Sequence, residues 1–207
     1  MTVDVGGRYL RYLPPDYDAR PDDRFPLLMF LHGAGERGED LERVKLHGPP
    51  KEIAQGRDFP FIVVSPQCPA DQYWDVATLI GLLDEIEATC RVDVGRVYLT
   101  GLSLGGHGTY ELAAKVPHRF AAIAPIAAWG DRFLAAPLRK VPIWSIHGDA
   151  DEAVPLNAEL SLVTALRELG ADLRFDIVPG GTHDTWSAPY AGEDLYKWFL
   201  SHCLNRP

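Results

Sequence analysis

The sequence predicts an α/β protein, a three-layer α/β/α sandwich around a mostly parallel sheet. Three observations predict it. Short apolar runs of strand length recur along the whole chain. They are continuous rather than alternating, which suits strands buried on both faces. Segments with helical periodicity lie between them, so the chain reads as successive βαβ units.

Taken in order, residues 3–5 and 9–13 flank Gly6-Gly7, a two-residue hairpin signal. The run Pro-Leu-Leu-Met-Phe-Leu at 26–31 is the first buried strand. Strands are expected next at 61–64, 97–100, 121–124, 143–146 and 173–178. Val76, Leu79, Ile80, Leu83, Ile86 and Cys90 recur at helical spacing, with Asp84, Glu85 and Glu87 on the other side. Residues 104–116 form a helix that stops before Pro117. Residues 156–169 form another, closed by Gly170. A last helix at 193–203 carries Leu195, Trp198 and Phe199. No repeat, Ser-rich linker or second composition regime interrupts the pattern, so a single domain is expected over residues 1–207.

Composition agrees. A chain of 207 residues buries about 70% of the surface its unfolded form exposes and needs no staple. Hydrophobic residues at 46% and charged residues at 24% exclude a disordered chain or a coiled coil. The net charge of −9 repels phosphate backbones and anionic lipids, so nucleic acid is not expected as a partner. Cys68, Cys90 and Cys203 are an odd number, which argues against a disulfide framework and leaves three buried thiols as the expectation. No apolar run approaches the roughly 20 residues of a transmembrane segment. The start, Met1-Thr-Val-Asp-Val, has no basic region or apolar core of a signal peptide, which leaves the compartment open. Without H-E-x-x-H, C-x-x-C or a dinucleotide fingerprint, no metal or cofactor is implied.

The chemistry centres on Gly101-Leu102-Ser103-Leu104-Gly105, a G-x-S-x-G pattern between a strand and a helix. That turn strains the serine backbone and exposes its hydroxyl. A serine hydroxyl needs a base, and in this arrangement the chain order is Ser, then acid, then His. His183 lies in Pro-Gly-Gly-Thr-His-Asp-Thr-Trp, directly after the last strand, whereas His202 lies near the tail of the last helix. His183 is therefore the candidate base. After the strand at 143–146 the loop offers Asp149, Asp151 and Glu152 as the orienting acid, and Asp151 is taken. Two backbone N–H groups should hold the oxyanion. Leu104 supplies one at the helix start. Ala34 supplies the other, from the small-residue loop His32-Gly-Ala-Gly-Glu-Arg-Gly38. Glu36 and Arg37 are expected to pair and brace that loop. His107, one turn beyond Ser103, is expected to pack. Trp74, Trp129 and Trp186 sit near strand ends and are candidate substrate-binding residues.

With these motifs in order, the chain resembles the α/β-hydrolase superfamily over nearly its whole length. It is most similar to small bacterial esterases of the feruloyl/acetyl-xylan esterase and dienelactone-hydrolase-like type. The segments carrying the resemblance are Leu31-His-Gly-Ala-Gly-Glu-Arg-Gly38, Phe59-Pro-Phe-Ile-Val-Val-Ser-Pro-Gln-Cys-Pro69, Gly101-Leu-Ser-Leu-Gly-Gly106, His147-Gly-x-x-Asp151-x-x-Val-Pro155 and Gly181-x-His183-Asp-x-Trp186. The resemblance favours Asp151 over Asp149 by its spacing to Val154-Pro155. It implies a serine carboxylesterase acting on a small-molecule or polymer-borne ester, the alternatives being a peptidase or thioesterase with the same three residues, or a non-catalytic binding protein on a hydrolase scaffold. Dienelactone hydrolases proper carry cysteine as nucleophile; Ser103 here points away from that activity. Residues 129–141, where this fold often inserts a cap, are too few for a lid domain, so a capless fold with an open cleft is expected.

Overall fold

The computed structural model describes residues 2–4 and 8–204. In chain order the elements are β1 (Thr2–Asp4), β2 (Arg8–Tyr12), β3 (Phe25–Leu31), α1 (Gly48–Ala54), β4 (Ile62–Pro66), α2 (Val76–Thr89), β5 (Val92–Leu102), α3 (Leu104–Lys115), β6 (Ala122–Ile126), α4 (Ala135–Leu138), β7 (Ile143–Gly148), α5 (Asn157–Glu168), β8 (Leu173–Val178), α6 (Ser187–Ala191) and α7 (Asp194–Leu200). The strands form one sheet in the order β1-β2-β4-β3-β5-β6-β7-β8. β1 and β2 pair antiparallel, β2 joins β4 antiparallel, and from β4 to β8 every pairing is parallel. Gly6 and Gly7 lie outside the described residues, although the flanking strands do pair.

Strand alternation divides the core in two. Leu27, Met29 and Leu31 pack with Leu79, Leu83, Ile86, Leu112, Leu162 and Leu166, the apolar stripes of α2, α3 and α5. Leu28 and Phe30 point the other way, toward Tyr190, Leu195, Tyr196 and Phe199 of α6 and α7. Every residue of β3 is buried because both faces are covered, which is why its sequence reads as an unbroken apolar run. Each such leucine contributes on the order of 2 kcal/mol of hydrophobic burial. The result is three layers.

Three differences from the sequence reading have physical causes. β5 begins at Val92, where Phe25 pairs with it, and its first half is only partly buried, so it lacks the apolar run that marks the rest. Helices α1 and α6 contain Pro49, Pro50 and Pro189, which read as breakers. Pro49 and Pro50 fall in the first turn of α1, where a missing N–H costs no intrahelical bond. Cys68 and Cys90 are buried, but Cys203 is exposed, because α7 ends at Leu200 and the chain leaves the core before it. All three thiols are free.

The chain leaves β3 toward β4 on one side and returns to place β5 on the other. The loops after β3 and β5 therefore diverge around a crevice at the strands' carboxyl ends, where open α/β sheets bind ligands. Between β6 and β7 the described chain holds only a turn of 3-10 helix (Arg132–Leu134) and α4, with no cap over the crevice.

Candidate active site

Ser103 stands between β5 and α3 with φ 53° and ψ −117°. This left-handed conformation is costly for a non-glycine residue and persists only where its surroundings impose it. The neighbours show how they do so. A Cβ on Gly101 would lie 2.3 Å from the Gly105 carbonyl oxygen, and one on Gly105 would lie 1.9 Å from that of Leu31. Strand and helix can approach this closely only through glycine. Gly105→Ala should accordingly lose about 3 kcal/mol or more of stability, because the obstructing atom is backbone and cannot rotate away. Urea denaturation checks this; a variant unfolding at the wild-type midpoint would refute it.

His183 follows β8 and is half-buried. Its Nε2 lies 3.0 Å from Ser103 Oγ, and its Nδ1 lies 2.7 Å from Asp151 Oδ2. A carboxylate only accepts, so Nδ1 carries the proton and Nε2 accepts from the serine hydroxyl. The other oxygen of Asp151, Oδ1, accepts from the Ala153 and Val154 N–H groups, each at 2.9 Å. Asp151 is 6% exposed. The competing acids have other positions. Asp149 accepts from the Gly180 N–H at 2.6 Å and ties the two loops together, and Glu152 is exposed. The loops meet closely, since a Cβ on Gly148 would lie 2.1 Å from the Gly181 carbonyl oxygen.

The loop after β3 lies against the serine: a Cβ on Gly33 would be 3.6 Å from Ser103 Cβ. Glu36 and Arg37 do not pair with each other here. Buried Glu36 accepts from the Gly33 N–H at 2.9 Å, and its other oxygen lies 3.6 Å from His47 Nε2. Arg37 donates to the Ala34 carbonyl at 3.1 Å and to that of Gln72 at 3.0 Å. Each braces the loop separately, because a three-residue 3-10 turn (Ala34–Glu36) sends the two side chains apart. His32 is fully buried; its Nδ1 donates to the Gly33 carbonyl at 2.7 Å and its Nε2 accepts from the Cys68 N–H at 3.0 Å. Burial pushes its pKa down to about 4, with Arg37 and Arg43 adding to the effect, so the ring is neutral at pH 7. This bracing leaves Ala34 exposed at the loop tip, while Leu104 opens α3. The first N–H groups of a helix have no partner within it.

Each of the three tryptophans packs against a histidine. Trp186, 7% exposed, meets the His183 ring edge-to-face at 4.9 Å. Trp129 stacks on His107 at 4.6 Å, and His107 Nδ1 bonds the Trp129 carbonyl at 3.1 Å. Trp74 packs on His32 at 4.8 Å and donates to its carbonyl oxygen at 3.2 Å. His107 thus packs as expected, and Trp74 is engaged in holding the loop after β3. His202 instead bonds the Trp198 carbonyl through Nδ1 at 2.8 Å, beyond the end of α7.

A group that the sequence did not single out lies behind Asp151. His147, Glu159, Ser145 and Tyr110 are all fully buried and hydrogen-bonded together. Only the run His147-Gly-x-x-Asp151 hinted at it, since nothing local pairs His147 with a helix residue. Among the described residues, no cluster of His, Cys, Asp and Glu is arranged to hold a metal ion, and no helix is long and apolar enough to cross a membrane.

Comparison with known proteins places this fold. The crystal structure of a thermostable esterase superposes with TM-score 0.83 at 28% identity, covering 95% of this chain and 59% of that one. NocK, a candidate esterase of Nocardia uniformis subsp. tsuyamanensis, is 31% identical over 172 residues, which are 75% of this chain and 49% of NocK. The bifunctional acetylxylan esterase/xylanase XynS20E of Neocallimastix patriciarum is 27% identical over 136 residues, 62% of this chain and 20% of that protein. The chain thus spans half or less of these two curated relatives. The arrangement is the α/β-hydrolase fold, with its sheet open rather than closed. The family model of dienelactone hydrolases matches residues 76–189, more than half of the chain. The chain belongs to the dienelactone hydrolase family.

Proposed function

We propose that the protein is a serine carboxylic-ester hydrolase, a single α/β-hydrolase domain over residues 1–207 working through an acyl-enzyme. The observation that carries this reading is the unbroken hydrogen-bonded line Ser103–His183–Asp151, headed by a serine in a strained turn. Ser103 Oγ attacks the ester carbonyl carbon while His183 Nε2 takes its proton. The negative charge that develops on the carbonyl oxygen is received by the N–H groups of Leu104 and Ala34. The tetrahedral intermediate collapses, the C–O bond to the alcohol breaks, and His183 returns the proton to the leaving oxygen. Water, deprotonated by the same histidine, then attacks the acyl-enzyme and frees Ser103. Asp151 keeps the proton on Nδ1 and stabilises the imidazolium without accepting the proton.

The substrates in this reading are short-chain or aryl (feruloyl-like) esters, free or carried on a polymer. Three things support that choice. No cap covers the crevice among the described residues. Tyr73 and Phe133, on the loops after β4 and β6, are 67% and 82% exposed and offer aromatic faces. Relatives and structural neighbours include an acetylxylan esterase and ferulic acid esterases. The decisive experiment combines fluorophosphonate labelling with a panel of acetyl, feruloyl and longer acyl esters, a thioester and a peptide amide. Labelling confined to Ser103 with acetyl or aryl esters turned over fastest is expected. An unlabelled Ser103 would defeat the hydrolase reading, and amide or thioester preference would defeat the ester assignment.

A further inference from the structure

The interior behind the acid loop holds a second histidine–carboxylate pair that the mechanism above does not use. His147 and Glu159 are each 0% exposed, at the end of β7 and in the first turn of α5. Glu159 Oε1 accepts from the Tyr110 hydroxyl of α3 and the Ser145 hydroxyl of β7, each at 2.6 Å. Its Oε2 lies 2.7 Å from His147 Nδ1. His147 Nε2 lies 2.8 Å from the Val154 carbonyl oxygen and 3.7 Å from Asp151 Oδ2.

Donor and acceptor chemistry decides the charge of the ring. A backbone carbonyl can only accept, so Nε2 carries a proton. Glu159 Oε1 receives both hydroxyl protons and its Oε2 meets Nδ1, so as a carboxylate it accepts a hydrogen from Nδ1 as well. Hydrogens on both nitrogens would make the ring an imidazolium. His32 is the internal contrast, since its Nε2 accepts an N–H and that ring is neutral. Among the described residues, the charged or titratable groups facing His147 are Glu159 from α5, Asp151 from the acid loop, Tyr110 through Glu159 from α3, and His183 beyond Asp151. Burial alone would push the His147 pKa down, but Glu159, the Val154 carbonyl and Asp151 together outweigh it and the shift is upward.

We propose that His147, held as a buried imidazolium by Glu159, is a positioning residue for the reaction: a fixed cation behind Asp151 that partly balances its charge and anchors its loop through the Val154 carbonyl. The inference rests on the triad reading above, because its effect is exerted through Asp151. The pair matters for catalysis in a definable way. An uncompensated Asp151 would favour a proton staying on His183, whereas a base must be free at the working pH. The cation 3.7 Å behind Asp151 opposes that. Glu159 also joins α3, which begins next to Ser103, to the strand that launches the acid loop.

Glu159→Gln isolates the charge. Its amide oxygen can keep the Tyr110 and Ser145 bonds, and its amide nitrogen can donate to Nδ1 of a neutral His147, so the hydrogen bonds survive while the ion pair does not. The acidic limb of kcat/KM should then move up by about one pH unit. That means about a tenfold loss near pH 6 and little change near pH 8.5. In the wild-type protein labelled with 15N-histidine, His147 should show hydrogens on both ring nitrogens at pH 8. A limb that stays or moves down, or a His147 ring with a single N–H at pH 8, overturns the proposal. If Glu159→Gln does not fold, the wild-type spectrum decides alone. Fluorophosphonate labelling of wild-type Ser103 separates the two levels. A protein that labels but has a neutral His147 keeps the hydrolase and loses this inference. One that fails to label loses the hydrolase reading whatever the state of His147.

Discussion

Ser103→Ala should lower kcat by about 10⁶-fold while leaving the protein folded. The substitution removes one atom, Oγ, whose bonding partner is His183 Nε2 at 3.0 Å. The backbone strain at φ 53° is unchanged, because alanine carries the same Cβ. The turn is held from outside the side chain, by the Ser103 N–H to the Ile126 carbonyl at 2.9 Å and by the close approach of Gly105 to Leu31. The unfolding midpoint should therefore stay within about 4 °C of wild type. Aryl-ester turnover and thermal unfolding on the same preparation check both halves. Turnover within tenfold of wild type would remove Ser103 from the chemistry, and a collapsed midpoint would make lost activity uninformative.

Asp151→Asn should lower kcat by about 10⁴-fold. The geometry says why the loss is so large for an isosteric change. The Oδ1 site of Asp151 is bound by two N–H donors, from Ala153 and Val154, so the asparagine oxygen must occupy it. The amide nitrogen is then forced to the Oδ2 site, 2.7 Å from His183 Nδ1. It donates there, Nδ1 must accept, and the histidine proton moves to Nε2, where it faces Ser103. In that tautomer the ring cannot take the serine proton. A pre-steady-state measurement of acylation should show the defect in that step. An Asp151→Asn protein within tenfold of wild type would shift the orienting role to another carboxylate, with Asp149 and Glu152 next in line.

Ser103 and His183, the proposed nucleophile and base, were legible in the chain because their signals are local. Gly101, Ser103 and Gly105 occupy one turn whose pattern is complete within five residues, although part of the crowding that demands glycine comes from the Leu31 carbonyl at the end of β3. His183 stands in a glycine-rich loop directly after β8, and β8 itself was readable as a run of strand length. The sheet was legible for the same kind of reason: strands covered on both faces must be apolar at every position, as β3 is. Helices α1 and α6 were not legible, because Pro49, Pro50 and Pro189 hide short helices whose stability comes from the core they cover. Cys203 was misjudged because an apolar residue after a helical stripe says nothing about where the helix stops.

The sequence by itself determined the three-layer fold, the strained serine and the order of the catalytic candidates, since each is written in neighbouring residues as periodicity, turn chemistry or glycine at a crowded point. Only the tertiary structure decided which acid meets His183, how Glu36 and Arg37 divide the work of bracing the loop after β3, and that His147 meets Glu159 in the interior. The two histidine pairings are fixed when β7, β8 and α5 pack and draw their loops to within hydrogen-bonding reach, and the bracing is fixed when the loop after β3 meets His47 and Gln72.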